Sequence, residues 1–171
     1  MKIVGIDLAG KTANPTGICI FNNDEILFRT LYSDEEILQF SSSLKPDIIA
    51  IDAPLIIGEP RVRKADKILK RYGALPPTWP SMKHLTQRGS RIATLLENYC
   101  KVIEVFPTAT AKILGIYDQD YRETAKTLEI NVRNKHELDA YLCCITAKMF
   151  LEGKTVEVGD EKGKIIIPRN I

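Results

Sequence analysis

Four acidic residues of this 171-residue chain lie where apolar segments end, and this placement constrains both the fold and its chemistry. Asp7 follows the apolar run 3–6, and Asp52 follows the run 48–51. The other two are Glu104, which follows the apolar pair before it, and Asp139, near the start of a late helical pattern. A carboxylate at the end of a buried strand is costly unless a partner compensates its charge.

A divalent cation is one such partner, and carboxylate oxygens are the ligands that Mg²⁺ and Mn²⁺ prefer. Each acid taken singly could instead cap a helix or accept backbone N–H bonds. Four acids in this order along the chain favour a shared metal site over four separate structural roles.

Length and composition predict one folded domain spanning residues 1–171. Apolar residues make up 44% and charged residues 27% of the chain, as in globular proteins. No run reaches the roughly 18 apolar residues of a membrane span, and no signal peptide is expected because a strand-like run begins at Ile3. No Cys/His spacing suits zinc, and the adjacent Cys143 and Cys144 are expected to be buried and reduced. These features predict a cytoplasmic protein without a membrane partner.

The segment 61–91 is strongly basic. It contains nine basic residues and one acid, which gives it a charge of +8. Because the net charge of the whole chain is +2, the remaining residues carry a charge of −6. A basic block between acidic ligands suggests an anionic substrate, with nucleic acid as the leading candidate, and Tyr72 and Trp79 could stack on bases. The alternative is a solvated surface helix with two core aromatic residues. The residues predicted to contact the substrate are Lys11, Arg63, Lys67, Arg71, Arg88 and Arg91.

The order of the expected elements is that of an α/β protein. Ser33 and Glu36 have the spacing of a capping box, which opens the first helix, and Asn134 with Glu137 similarly opens the last. In the last helix, an apolar stripe is expected at Leu138, Leu142, Ile145 and Met149. Strands are expected at 2–7, 16–21, 25–32, 47–52 and 101–105, helices at about 60–72, 81–99, 108–129 and 134–152, and a hairpin at 155–167.

This order, with a helical basic insertion at about 56–100, is that of the ribonuclease-H-like fold. The chain resembles a prokaryotic family of predicted RNase-H-like nucleases that was long labelled a domain of unknown function. The resemblance implies a mixed five-stranded sheet flanked by helices, a helical insertion before the fifth strand and a C-terminal hairpin. The matching segments are 5–10, 51–55, 63–66, 85–89, 104–107 and 136–140.

In such a sheet, the first and fourth strands are parallel neighbours, so Asp7 and Asp52 would meet at their carboxyl ends. The last helix would bring Asp139 to the same edge. Three carboxylates so placed can hold two ions, Mg²⁺ or Mn²⁺, and we expect Asp7 to bridge them, with Asp52 and Asp139 flanking. The predicted activity is hydrolysis of phosphodiester bonds by the two-metal mechanism, without a protein nucleophile.

Two further residues are candidates for the same site. Glu104 could be a fourth ligand, or a structural acid that accepts bonds from Arg63 or Arg88. His136 lies three residues before Asp139 and could orient a carboxylate, position water or carry a proton, although a histidine near a helix start is often only a surface residue.

Other functions remain open at this stage. Residues 5–12 satisfy the P-loop pattern, but a strand and no helix is expected after Lys11 and Thr12. Sugar kinases and actin-like ATPases use a similar first hairpin to hold Mg-phosphate, but they need two such domains. A module that binds nucleic acid or another partner without catalysis would keep the basic segment and bind with strong salt dependence. The kind of nucleic acid and the presence of a homodimer are not determined by the sequence.

Overall fold

A mixed five-stranded sheet lies between layers of helices in the computed structural model, which describes residues 1–23 and 25–169. Its strands run in the spatial order β3-β2-β1-β4-β5, and β6 and β7 form a separate hairpin. The strands are β1 (Lys2–Asp7), β2 (Thr16–Asn22), β3 (Glu25–Leu31), β4 (Ile48–Asp52), β5 (Lys101–Glu104), β6 (Thr155–Asp160) and β7 (Gly163–Pro168). The helices are α1 (Asp34–Ser43), α2 (Lys64–Leu69), α3 (Pro80–Leu96), α4 (Pro107–Ile113), α5 (Tyr121–Thr127) and α6 (Lys135–Leu151).

The strand pairing follows from the lengths of the connections. Short turns join β1 to β2 and β2 to β3, and both pairs are antiparallel. The connections through α1 and through the α2–α3 excursion are long enough for crossovers, so β4 lies parallel to both β1 and β5. The predicted order of sheet elements is therefore confirmed.

Each face of the sheet is covered by different helices. On one face α6 packs against β1, β2 and β4, and on the other α1 and α3 pack together over the sheet. Strands β1 and β4 are apolar at nearly every position because both of their faces are buried. The carboxyl ends of these two central strands, where the chain becomes polar, therefore open at one edge of the sheet.

Helix α6 is buried on more sides than the sequence indicates. Leu138 and Leu142 pack against α4 and α5, whereas Ala140, Cys143 and Ala147 face the sheet. The expected single stripe is wrong, since Ile145 and Met149 at its far end are only partly buried. The physical reason is that α6 lies between the sheet and a second layer of helices, so that small side chains are needed on the sheet side.

The helical excursion is more broken than expected. Helix α2 begins only at Lys64, because the preceding Arg63 is extended, and a 3₁₀ turn follows it and ends at Gly73 with φ of 100°. Helix α3 begins at Pro80 and ends at Leu96, which leaves Tyr99, the last residue of the expected helix, outside it and exposed. The expected helix 108–129 is two helices separated at Gly115, whose φ is 70°.

The predicted helix caps are present. Ser33 and Glu36 form the full capping box of α1, and the Asn134 side chain accepts a bond from the Glu137 amide at the start of α6. All four cysteines are free thiols. In the described part of the chain, no helix is both long and apolar enough to cross a membrane.

Candidate functional site

Asp7 and Asp52 lie side by side at the carboxyl ends of β1 and β4. They are partners in the parallel register of these strands, as the sequence predicts. Each is the last residue of its strand, so the backbone on the far side is loop rather than sheet. The two carboxylates therefore meet at the edge of an α/β sheet where ligands are usually bound.

Two glycines allow α6 to approach this edge closely. A Cβ atom on Gly5 would lie 2.2 Å from the carbonyl oxygen of Ala140, and one on Gly17 would lie 2.4 Å from the carbonyl oxygen of His136. Any side chain at either position would push the helix away from the sheet. This contact places the first turns of α6, with His136 and Asp139, beside Asp7.

Two basic residues of α6 hold the acidic side chains. The Nδ1 atom of His136 lies 2.6 Å from Oδ2 of Asp7, and the Nζ atom of Lys135 donates to Oδ2 of Asp139. The Asp7 and Asp139 side chains are 14% and 13% exposed, so the acids are recessed but reachable from solvent. The sequence indicated His136 but not Lys135, whose i, i+4 spacing to Asp139 was the available signal.

The acids behave as one electrostatic group. Burial, together with the charges of Asp7 and Asp139, raises the pKa of Asp52 well above its usual range. Burial and the charge of Asp7 raise the pKa of Asp139 to about 6, although Lys135 opposes this shift. The hydrogen bond to Asp7 raises the pKa of His136. Mutual repulsion in a recessed site is relieved by protons, by nearby cationic side chains or by a bound cation.

The donor set fits a hard divalent cation, but the side chains are not arranged around one. Three carboxylates at one sheet edge supply the oxygen atoms that Mg²⁺ and Mn²⁺ prefer. Within residues 1–23 and 25–169, however, no three acidic, histidine or cysteine side chains are placed so as to hold a single ion. One oxygen of each of two carboxylates, Oδ2 of Asp7 and Oδ2 of Asp139, contacts His136 and Lys135 instead. An ion that used these two oxygens would have to displace the two basic side chains.

Glu104 lies deeper than the three aspartates and has a different role. Its carboxylate accepts bonds from Nη1 and Nη2 of Arg63 at 2.6 and 2.7 Å, and from the amide of Leu55 at 2.8 Å. Arg63 also donates to both oxygens of Asp66. Of the two roles predicted for Glu104, this geometry is that of the structural acid.

Arg63 is a structural residue rather than an exposed substrate contact. Its side chain is 0% exposed, and a Cβ atom on Gly163 in the C-terminal hairpin would lie 2.6 Å from its Cδ atom. Burial by itself would lower the pKa of Arg63, but the bonds and charges of Glu104 and Asp66 raise it above its usual value. The guanidinium thus joins α2 to the end of β5 beneath the hairpin, and the expectation that it contacts substrate is corrected.

Arg88 is corrected for the same reason. Its guanidinium donates to Asp34 and to the carbonyl oxygens of Ala9 and Tyr32, at 2.5 to 2.7 Å. It therefore ties α3 to the loop after β1 and to the start of α1. The other residues predicted to contact the substrate are exposed at the surface: Lys11, Lys67, Arg71 and Arg91.

Clefts lie on both sides of the acidic residues. One, with a volume of about 60 Å³, runs from Asp52 between Pro54, Leu85 and Phe106. The other, of about 70 Å³, is lined by Asp139 and Lys135 together with Tyr117 of the loop between α4 and α5. The acids thus lie between two grooves instead of at the bottom of one closed pocket.

No family model matches this sequence, and no curated protein matches it significantly. Among solved structures, the chain is similar to T. thermophilus RuvC in complex with a Holliday junction substrate. The alignment covers 90% of this chain and 97% of that chain, with 11% identity and a TM-score of 0.57. This chain has the ribonuclease-H-like fold. The predicted fold class is confirmed by the sheet order, the flanking helices and the C-terminal hairpin, whereas membership of the prokaryotic nuclease family stays a prediction.

The P-loop alternative does not agree with the local structure. Residues 8–15 form a loop, and β2 begins at Thr16, so no helix opens at Lys11 and Thr12. A P-loop needs that helix, since its N-terminus and the preceding loop hold the phosphates. The match of residues 5–12 to the pattern is therefore fortuitous.

Proposed function

We propose that this protein is a metal-dependent nuclease that hydrolyses phosphodiester bonds of nucleic acid. The observation that carries the proposal is the convergence of Asp7, Asp52 and Asp139 at the carboxyl ends of two parallel strands. The raised pKa values of Asp52 and Asp139 indicate that negative charge is concentrated there beyond what the protein neutralises. Carboxylates with such perturbed pKa values in an accessible recess are candidates for a functional site.

The same three aspartates are the proposed ligands of Mg²⁺ or Mn²⁺, with two ions expected. Asp7 is the proposed bridging ligand, because its charge raises the pKa values of both Asp52 and Asp139. When bound, such ions supply an activated water and a counter-charge for the leaving oxygen. Glu104 is left out of this set because all its hydrogen bonds join it to Arg63 and Leu55.

His136 and Lys135 are proposed to compensate the negative charge of the acids until a substrate binds. In the present arrangement they compensate Asp7 and Asp139, which would otherwise repel each other in a recessed site. Both side chains are about half or more exposed, so they can swing toward a substrate without crossing the core. His136 would then accept or donate a proton at its free ring nitrogen, and Lys135 would contact a phosphate oxygen.

Nucleic acid is the proposed substrate because of the exposed positive charge of the segment 61–91. Seven of the nine basic residues in 61–91 are exposed. The two buried ones, Arg63 and Arg88, form hydrogen bonds to acidic residues inside the protein. Polyanion backbones are held by such exposed cations. The proposed backbone contacts are Lys11, Lys67, Arg71 and Arg91. The similarity to a structure of RuvC with a Holliday junction substrate is consistent with this class of ligand.

The test is metal binding and cleavage by matched acid-to-amide variants. We expect Asp7→Asn to lower the affinity for Mn²⁺, measured by titration calorimetry, and to abolish cleavage of a mixed panel of DNA and RNA substrates. Glu97→Gln removes an exposed carboxylate at the end of α3 and should change neither quantity. Unchanged Mn²⁺ affinity in Asp7→Asn would refute the assignment of this residue.

A module that binds nucleic acid without cleaving it is the second candidate. It is favoured by one observation, namely that one oxygen each of Asp7 and Asp139 is already bonded to His136 or Lys135. Such a module would bind nucleic acid equally well in EDTA, with an affinity that falls steeply with salt. Retained binding together with no cleavage in Mg²⁺ or Mn²⁺ would select it over the nuclease.

A further inference from the structure

A recess with an apolar floor lies within the basic segment, next to the acidic residues. It has a volume of about 390 Å³ and lies between α2, the 3₁₀ turn and the loop before α3. Three large apolar side chains in its lining, Val62, Leu75 and Trp79, are 42%, 45% and 50% exposed. Large apolar side chains left together at a surface commonly mark a binding site.

The recess adjoins the cleft that ends at Asp52. Ala74, Leu75 and Asp66 line both cavities, so the two share a wall. A nucleotide in the recess would therefore lie next to the cleft that leads to Asp52. This position distinguishes the recess from an isolated patch on a helix.

The loop that carries Trp79 is held firmly. The Trp79 amide donates to the carbonyl oxygen of Pro76, and the Trp79 carbonyl accepts from the amides of Met82 and Lys83 at the start of α3. Pro80 occupies the first turn of that helix, and Thr86 contacts the carbonyl of Pro77. The backbone of Trp79 is thereby fixed while half of its side chain remains exposed, which suits a preorganised contact surface.

The charge of the recess is positive. Lys67 and Lys70 line it, both are exposed, and within the described residues neither forms a salt bridge with an acid. The acid in its lining, Asp66, is buried and bonded to Arg63. An aromatic face beside unpaired lysines matches a nucleotide, because the base stacks on the ring and the phosphate meets the cations.

We propose that Val62, Leu75 and Trp79 form a subsite for an unpaired nucleobase, with Lys67 and Lys70 on the adjoining phosphates. A base in a continuous duplex has both faces covered by its neighbours and cannot lie on Trp79. The substrate class is thus nucleic acid with an unpaired segment near the scissile bond, such as a single strand or a branch. This substrate assignment rests on the proposed nuclease function, whereas base binding itself can be measured without it.

The protein offers a direct probe, since Trp79 is its only tryptophan. We would follow its fluorescence during titration with a 12-nucleotide thymidine oligomer and with a blunt duplex of equal length, both in EDTA. Stacking predicts quenching by the single strand and little by the duplex. Equal quenching by both would overturn the preference for unpaired bases.

Two substitutions of Trp79 distinguish stacking on its aromatic ring from simple contact with an apolar side chain. Each stacked base contributes about 5- to 150-fold in affinity, so Trp79→Leu should weaken binding of a labelled single strand by that factor, measured by anisotropy. Trp79→Phe keeps an aromatic face and should lose only a few-fold. Equal losses in both variants, or none in Trp79→Leu, would overturn the subsite.

The lysines are tested through salt dependence. Each phosphate contact of a single strand contributes about 0.7 to the slope of log affinity against log salt. The double variant Lys67→Gln/Lys70→Gln should therefore have a slope smaller by about 1.4. Lys148→Gln removes an exposed lysine of α6, outside the recess, and should leave the slope unchanged. An unchanged slope in the double variant would remove both lysines from the subsite.

The two proposals fail in distinguishable ways. If Trp79 is quenched by single strands in EDTA but no metal supports cleavage, the subsite stands and the nuclease function falls. If cleavage occurs and depends on Asp7, while Trp79→Leu cleaves single-stranded and duplex substrates at wild-type rates, the nuclease stands and the subsite falls.

Discussion

Asp7 and Asp52 are register partners on neighbouring parallel strands, and both strands end at these carboxylates. The charged form of Asp52 opposes folding, because burial and the charge of Asp7 raise its pKa well above the usual range. The chain nevertheless adds a third acid, Asp139, from α6. An arrangement that costs stability and could easily be avoided is expected at a functional site, and its cost can be measured.

The first prediction is that Asp139→Asn stabilises the protein at neutral pH in EDTA. The folded-state pKa of Asp139 is about 6, above its ordinary value of 3.8, so stability falls as the pH rises through this interval. The shift of about two units corresponds to an upper limit of roughly 3 kcal/mol above pH 6. Thermal unfolding from pH 3.5 to 8 should show a gain in Tm that vanishes near pH 4.

The control for this experiment is Asp118→Asn, which removes an exposed aspartate of the loop between α4 and α5. It should not reproduce the pH-dependent gain. A gain for Asp139→Asn that is the same at pH 4 and pH 8 would show that the effect does not come from ionisation.

The second prediction concerns His136 and Asp7. The bond to Asp7 raises the pKa of His136, so its stabilising contribution is complete below about pH 6.5 and is lost as the pH rises through the raised pKa. A protonated His136 also competes with a cation for Asp7. We therefore expect Mn²⁺ affinity to increase with pH, and His136→Gln to make this increase shallower, as measured by calorimetry between pH 5.5 and 8.5. Parallel curves for the two proteins would contradict the competition.

The third prediction compares two arginines that bind the same acid. Arg88 and Arg91 both donate to Asp34, but their side chains are 4% and 62% exposed. Removing a buried charged partner costs about 3–5 kcal/mol, whereas an exposed ion pair contributes about 1 kcal/mol or less. Arg88→Ala should therefore lower the free energy of unfolding in urea several-fold more than Arg91→Ala. Equal effects would mean that the bonds of Arg88 to Ala9 and Tyr32 contribute nothing.

The sequence predicted the strand order and the meeting of Asp7 with Asp52 because both follow from local patterns. Short turns impose hairpins, and an acid that ends an apolar run marks the end of a buried strand. The burial of Arg63 and Arg88 was not predictable in this way. The sequence offered both arginines as possible partners of Glu104 and also as substrate contacts, and only tertiary packing decides that Arg63 binds Glu104 whereas Arg88 binds Asp34. The double burial of α6 was missed for a related reason, since periodicity reports a helix with one buried face and fails for a helix packed on two sides.

The last prediction tests how the fold positions the site, through two glycines near β1. A Cβ atom on Gly5 would lie 2.2 Å from the carbonyl oxygen of Ala140 in α6, whereas one on Gly10 would find its nearest atom 3.5 Å away. Gly5→Ala must move α6 outward, which costs about 1–3 kcal/mol or more by overpacking and separates His136 and Asp139 from Asp7. Gly10→Ala should be close to neutral. Urea unfolding gives the stability, and Mn²⁺ titration at a temperature where both variants are folded gives the effect on the site. If the free energy of unfolding of Gly5→Ala equals that of the wild type, this contact does not fix the position of α6. The approach of Asp139 to Asp7 must then be set by the packing of α4 and α5 on the outer side of α6.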